Sequence, residues 1–231
     1  MDNRVNCVGS LLKYIKLKNP QETPTRPTWS LNKVLSHLDT LDVSIEFNLL
    51  RKTAFLLLLA TGWRISELHA CVRDQEHCRF TSTQSLVLRP HKSFIAKNGH
   101  RNRLKPKEIS TLKDKEGNTS NICPVTSLKK YLDLNRDCNT SLFIHTKFDK
   151  ELTVNGLRSA ICSVIRDAEP EAKAKAHDIR KMSASLSLLR DMNIGDLTEE
   201  FNWSSSAVFY KHYFMAMNLP DRPIAVPGRE Y

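Results

Sequence analysis

His177 and Arg180 stand three residues apart in the segment H-D-I-R, at the head of a stretch whose apolar residues recur at helical spacing. That separation puts both side chains on one helix face, at the end where free backbone amides and the helix dipole favour an anion. Arg64 lies more than a hundred residues upstream in T-G-W-R-I-S-E-L, residues 61–68, and Tyr213 follows Trp203 by ten residues. A guanidinium grips phosphate through two parallel hydrogen bonds and stays charged at any relevant pH. A tyrosine hydroxyl, with an ordinary pKa near 10, becomes a useful nucleophile only when positive charge and hydrogen bonds stabilise its anion. Two arginines, a histidine and a tyrosine are together a set able to bind a phosphodiester and attack it.

Each residue also has a plainer reading. Arg64 could be a surface arginine paired with Glu67. His177 could cap a helix, with Arg180 merely exposed beside it. Tyr213 could be a core aromatic alongside Phe209 and Met217, and Tyr210, one turn earlier, competes for any role given to it.

Positioning these groups requires a sizeable folded core. At 231 residues, 40% of them hydrophobic, the chain is long enough for one large domain or two small ones. Only 7 glycines, with many Leu, Lys and Ala, favour a helix-rich fold. The net charge of +10 suggests a polyanionic partner, nucleic acid first, although charge alone identifies no ligand. The longest apolar run, residues 54–60, is far short of the roughly 20 needed to span a bilayer, and no signal core follows Met1. The expectation is an intracellular protein without a membrane partner. Its six cysteines lack a repeating framework and read as reduced thiols. His69, Cys71, His77 and Cys78 cluster in sequence but lack paired metal-ligand spacing, so no metal site is assigned.

The elements follow from periodicity and stop signals. Residues 1–28, interrupted by Pro20, Pro24 and Pro27, read as a tail or linker. Ser30 is a plausible N-cap for a first helix. A second helix over residues 45–61 is apolar all round at its centre and stops at Gly62, with a short helix starting at Ser66. Residues 85–89 and 93–96 read as strands of a small antiparallel sheet, with Asn98-Gly99 as a tight turn in a basic hairpin, and residues 113–120 as a polar loop. Further helices are expected at 124–134, opened by Pro124, at 153–167, 176–190, 194–201 and 205–217. The segment after Pro220, rich in proline and charge, reads as loose. The fold class is mainly α with a small antiparallel β-sheet.

Taken in order, these segments resemble the catalytic domain of the tyrosine recombinases, the superfamily of phage integrases and chromosome-dimer resolvases. T-G-W-R-I-S-E-L resembles the segment with the first catalytic arginine, Arg64. H-D-I-R-K resembles the segment with the catalytic histidine and second arginine, His177 and Arg180. W-S-S-S-A-V-F-Y-K-H-Y-F resembles the last segment, with Trp203 in the His/Trp place. Each motif is weak alone, but their order and spacing reinforce one another. Many members carry the tyrosine nine residues after the His or Trp, which here is His212. Recombinases of eukaryotic tyrosine-recombinase retroelements, and some viral relatives, are more similar: they carry W-S-S early and a tyrosine ten residues on. That similarity favours Tyr213, with Tyr210 as the alternative, and I-C-P-V at residues 122–125 is similar to the same group. The family's general-acid lysine sits on a β-hairpin that S-F-I-A-K-N-G resembles, pointing to Lys97 ahead of Lys92, Lys105 or Lys107. The likeness covers residues 29–217, leaving 218–231 as a C-terminal tail.

The resemblance implies a site-specific DNA recombinase or integrase of mobile-element type, working on double-stranded DNA through a covalent 3′-phosphotyrosine. Because that link keeps the phosphodiester energy, neither ATP, a metal nor a small-molecule cofactor is required. It also implies a homo-oligomer, a tetramer on DNA, and a nuclear location in a eukaryote. Lys92, Arg101, Arg103, Lys105 and Lys107 are the expected contacts to the DNA backbone, or else a solvated loop. Members normally carry an N-terminal domain that clamps the other face of the DNA, and residues 1–28 could be its remnant. This leaves two further expectations open: a DNA-binding remnant without catalysis, and a nicking-closing enzyme like the type IB topoisomerases.

Overall fold

The apolar run at residues 54–60 becomes the axis of the molecule. In the computed structural model, which describes residues 26–81, 85–96, 104–134, 141–148 and 150–228, that run lies in α2 (Glu46–Thr61), where every residue from Leu49 to Thr61 is buried. A helix buried on all sides must be wrapped by others. Around it pack α4 (Pro124–Leu132), α5 (Val154–Ala168) and α6 (Ala176–Leu189), while α1 (Leu31–Thr40) packs on α5. The local signals are ordinary ones. The Ser30 hydroxyl accepts from the amide of Lys33 and Thr153 accepts from Gly156, each as an N-cap. Pro124 opens α4 at a position where no amide partner is needed.

Gly62 ends α2 in the left-handed region, with φ +63°, and its amide donates back to Leu58. The chain turns at once into the short α3 (Ile65–His69). A three-stranded antiparallel sheet follows: β1 (Cys78–Phe80), β2 (Leu86–Leu88) and β3 (Lys107–Ile109), in that order, with Cys78 opposite Leu88 and Leu88 opposite Lys107. The expected strand at 93–96 does not form. His91 draws that stretch into a turn, its ring bonding the Ser93 hydroxyl and its carbonyl accepting from Phe94. Asn98 and Gly99 lie outside the described residues.

The chain then closes with α7 (Ile194–Glu200) against α6, and α8 (Ser206–His212) against α7. The last helix is shorter than its pattern suggests, because the chain leaves it at Tyr213. The segment beyond Pro220 is docked rather than loose. Ile224 is 1% exposed in the main core. Its carbonyl accepts from Arg190 at 2.8 Å, and Arg222 pairs with Asp39 on α1 at 3.0 Å. One buried isoleucine anchors what proline and charge made look mobile. Among the described residues no helix is long and apolar enough to cross a membrane.

Candidate active site

The turn at Gly62 creates the floor of the site. A side chain there is excluded twice: by the positive φ, and because a Cβ would lie 2.3 Å from the Phe201 ring. With the ring packed this close, the Gly62 carbonyl faces α6 and accepts from Nη1 of Arg180. Nη2 of Arg180 donates to the Phe201 carbonyl. The guanidinium is only 2% exposed and is flanked by the rings of Phe201, Trp203 and Tyr213 at 5.3, 5.6 and 5.6 Å. Burial pulls its proton affinity down, and the Glu67 carboxylate and Tyr213 hydroxyl work the other way. Among the described residues its Nε has no hydrogen-bond partner.

Glu67 sits between the two arginines. One carboxylate oxygen accepts from Nη1 of Arg64 at 2.7 Å, while the other accepts from the Arg64 amide at 2.7 Å and lies 3.7 Å from Arg180. The plainer reading of Arg64, a pairing with Glu67, is therefore met. That pairing does not place Arg64 on an indifferent surface, since Glu67 itself is buried and joins Arg64 to Arg180. The Arg64 side chain stays 22% exposed.

His177 opens α6 one turn before Arg180 and is exposed to solvent. Surrounding protein lowers its pKa from 6.5, and Lys181, Arg180 and Arg64 lower it further against the pull of Asp178. The ring is thus neutral near pH 7. It lies 5.4 Å from the ring of Tyr213. Trp203 is buried between Phe201, Phe209 and Tyr213, at 5.0, 5.4 and 4.6 Å, and its indole N–H has no partner among the described residues. Tyr213 caps the end of α8, and Ser185 on α6 fastens the chain there, its hydroxyl accepting from the Met215 amide at 2.9 Å and reaching the Tyr213 carbonyl at 3.5 Å. Tyr210 is 42% exposed and packs on Phe209 and Phe214.

The structure thus brings Arg64, His177, Arg180, Trp203 and Tyr213 together. Lys97, Arg101 and Arg103 lie outside the described residues. Lys92 and Lys105 are at the surface, near Glu76 and bonded to Glu199 respectively. Lys107 is not where a backbone-contacting lysine belongs: it is buried, with its ammonium on Glu200. Sequence reasoning gave Glu67 no part in linking the arginines and did not single out Phe201 or Ser185. The first had a signal in its i,i+3 spacing to Arg64, but the other two act through backbone contacts that no motif announces. The cysteine–histidine cluster disperses: His77 bonds Asp74, His69 bonds the Leu152 carbonyl, and the Cys78 thiol is pushed up to about 12 by burial. Among the described residues no group of three or more metal-ligating side chains converges.

Neither a family model nor a curated protein matches this sequence. Solved structures do match. The XerA recombinase aligns at 19% identity with a TM-score of 0.55, over 84% of this chain and 62% of that one. The XerH site-specific recombinase, bound to its difH substrate before cleavage, aligns at 17% and 0.57, over 83% of this chain and 52% of that one. The Tn1549 transposon integrase, in complex with transposon right-end DNA, aligns at 15% and 0.54, over 84% and 64%. The fold is that of a tyrosine recombinase catalytic domain. Within the tyrosine recombinase fold the likeness takes in most of this chain, yet the chain spans less than two thirds of each of these proteins.

Proposed function

We propose that this chain cuts and rejoins double-stranded DNA through a 3′-phosphotyrosine formed by Tyr213. The observation that carries the reading is the packing of the Tyr213 ring against Arg180, His177 and Trp203, with Arg64 coupled to Arg180 through Glu67. The fold shared with XerH and the Tn1549 integrase, both solved on DNA, supports it.

In this mechanism Arg64, Arg180 and the Trp203 indole N–H donate to the non-bridging oxygens of the scissile phosphate. Arg180 and the Trp203 N–H are covered in the free chain, so DNA binding has to open a path to them; once a phosphate is seated, losing one donor costs about 3 kcal/mol. The Tyr213 hydroxyl attacks phosphorus in line and gives its proton to the neutral His177 imidazole. The P–O5′ bond breaks, and the leaving oxygen takes a proton from Lys97. Attack by a 5′-hydroxyl on the phosphotyrosine reverses these steps, with the same strand for closure or another strand for recombination. The +10 charge supports DNA binding, with Lys92, Arg101, Arg103 and Lys105 on the backbone. Two-strand exchange calls for a tetramer on DNA.

The test is incubation with a pool of nicked duplexes of randomised core sequence, from which protein–DNA adducts are recovered under denaturing conditions. Wild type is expected to yield adducts carrying the DNA on Tyr213. A pool that yields none, while XerH gives its adduct on difH in parallel, would sink the enzymatic reading and leave a DNA-binding module. Supercoil relaxation without exchange between sites would move the reading to a nicking-closing enzyme.

A further inference from the structure

Lys107 occupies a place where an apolar residue is normal. It faces inward on β3, in register with the buried Leu88, and is 7% exposed. Its ammonium donates to both the carboxylate and the backbone carbonyl of Glu200, the latter at 2.8 Å. A hydrocarbon at such a position is commonly no less stable than a buried ion pair. What the ammonium adds is direction.

That direction matters because of which carbonyl it holds. Glu200 ends α7, whose last carbonyls have no partner within the helix. Two successive ones are taken by buried cations from different elements: Glu200 by Lys107 from the sheet, and Phe201 by Arg180 from α6. Cations at a helix C-terminus are also favoured by its dipole. A single peptide unit thus stands between Lys107 and the grip on Arg180. Burial lowers the lysine's proton affinity, Glu200 counters that most, and the fields of Arg180 and Glu67 also reach it.

We propose that Lys107 is a positioning residue for Arg180, locking the C-terminus of α7 so that the Phe201 carbonyl holds the guanidinium in its phosphate-binding orientation. This rests on the reading of Arg180 as a phosphate ligand. It also gives β3 a rigid link to the arginine.

Two measurements test it. The first is made on the free protein: the Nε–Hε resonance of Arg180, assigned by its loss in Arg180→Lys, is expected to shift and broaden in Lys107→Met and to return in Lys107→Arg. An unchanged resonance in folded Lys107→Met overturns the proposal. Should that variant not fold, Glu200→Ala is read instead, with a smaller shift of the same resonance expected and no shift overturning it. The second uses adduct formation: Lys107→Met is expected to slow single-turnover cleavage about tenfold with DNA Kd unchanged, a loss that disappears in the Arg180→Lys background, as for residues acting through one another. An equal loss in both backgrounds overturns it. If wild type forms no adduct at all, the proposed activity fails, and the resonance alone decides the role of Lys107.

Discussion

The cations of this chain are held in two opposite ways. Around Gly62 and the end of α7, Arg180 and Lys107 are sealed from water and fixed by backbone carbonyls and by the carboxylates of Glu67 and Glu200. At the surface, Lys92 and Lys105 reach into solvent, facing Glu76 and Glu199. In the sealed region dielectric screening is weak, and geometry decides what each charge does. At the surface the pairs are screened and interchange readily with other anions. The contrast separates two duties that the charge total cannot: the buried cations fix a direction, and the exposed ones provide a field.

Substitutions can break that contrast. The largest expected effect is at the nucleophile, where Tyr213→Phe abolishes the covalent adduct and Tyr210→Phe leaves it within about twofold; adduct yield on nicked DNA checks both, and the reverse pattern would move the nucleophile to the exposed position. Arg180→Lys keeps the charge but cannot hold two carbonyls at once. It is expected to slow cleavage by about 10²–10³ at unchanged DNA affinity, the loss typical of one misplaced donor. Gly62→Ala strikes the floor itself. Positive φ and overlap with Phe201 together cost about 2–4 kcal/mol, read as a lowered denaturation midpoint.

A smaller effect concerns His177. The folded chain binds its proton less readily than the unfolded one, so the stability tied to this group is complete above pH 6.5 and is lost as pH falls through the depressed value. Its NMR titration should have a midpoint below 6.5 in the free protein and move upward when a DNA phosphate arrives; a midpoint at or above 6.5 in the free protein contradicts the cationic surroundings described here. The smallest effect belongs to the outer region. Lys105→Ala should leave the denaturation midpoint in place and reduce the salt dependence of DNA affinity by about one charge.

How far the sequence revealed this depended on the range over which each signal acts. The stop at Gly62 was legible because a buried helix followed by glycine is a local pattern, but the use of its carbonyl by Arg180, 118 residues on, is not local. Arg180 read as a neighbour of the apolar stripe, since periodicity places a residue on a helix face without showing what covers that face. Tyr210 and Tyr213, three apart, share a face of any helix that continues to Met217. Only the break after His212, fastened by Ser185, separates their surroundings. Lys107 looked like one more base in a basic stretch, because strand register, which turns it inward, depends on a partner strand that sequence alone does not select.

The docked segment after Pro220 has a topological consequence. Asn32, near the start of α1, bonds Asp221 at 2.8 Å, and Arg26 and Pro220 line one shallow depression. The described chain therefore passes back beside its own beginning at Asp221, with Tyr213 only a few residues before that contact. Joining residue 228, which lies beside Met192, to residue 26 through a linker long enough to run back to the Asn32–Asp221 contact, and opening the chain at the exposed turn near residue 116, should give a circular permutant that still folds, with the tyrosine now in the interior of the chain.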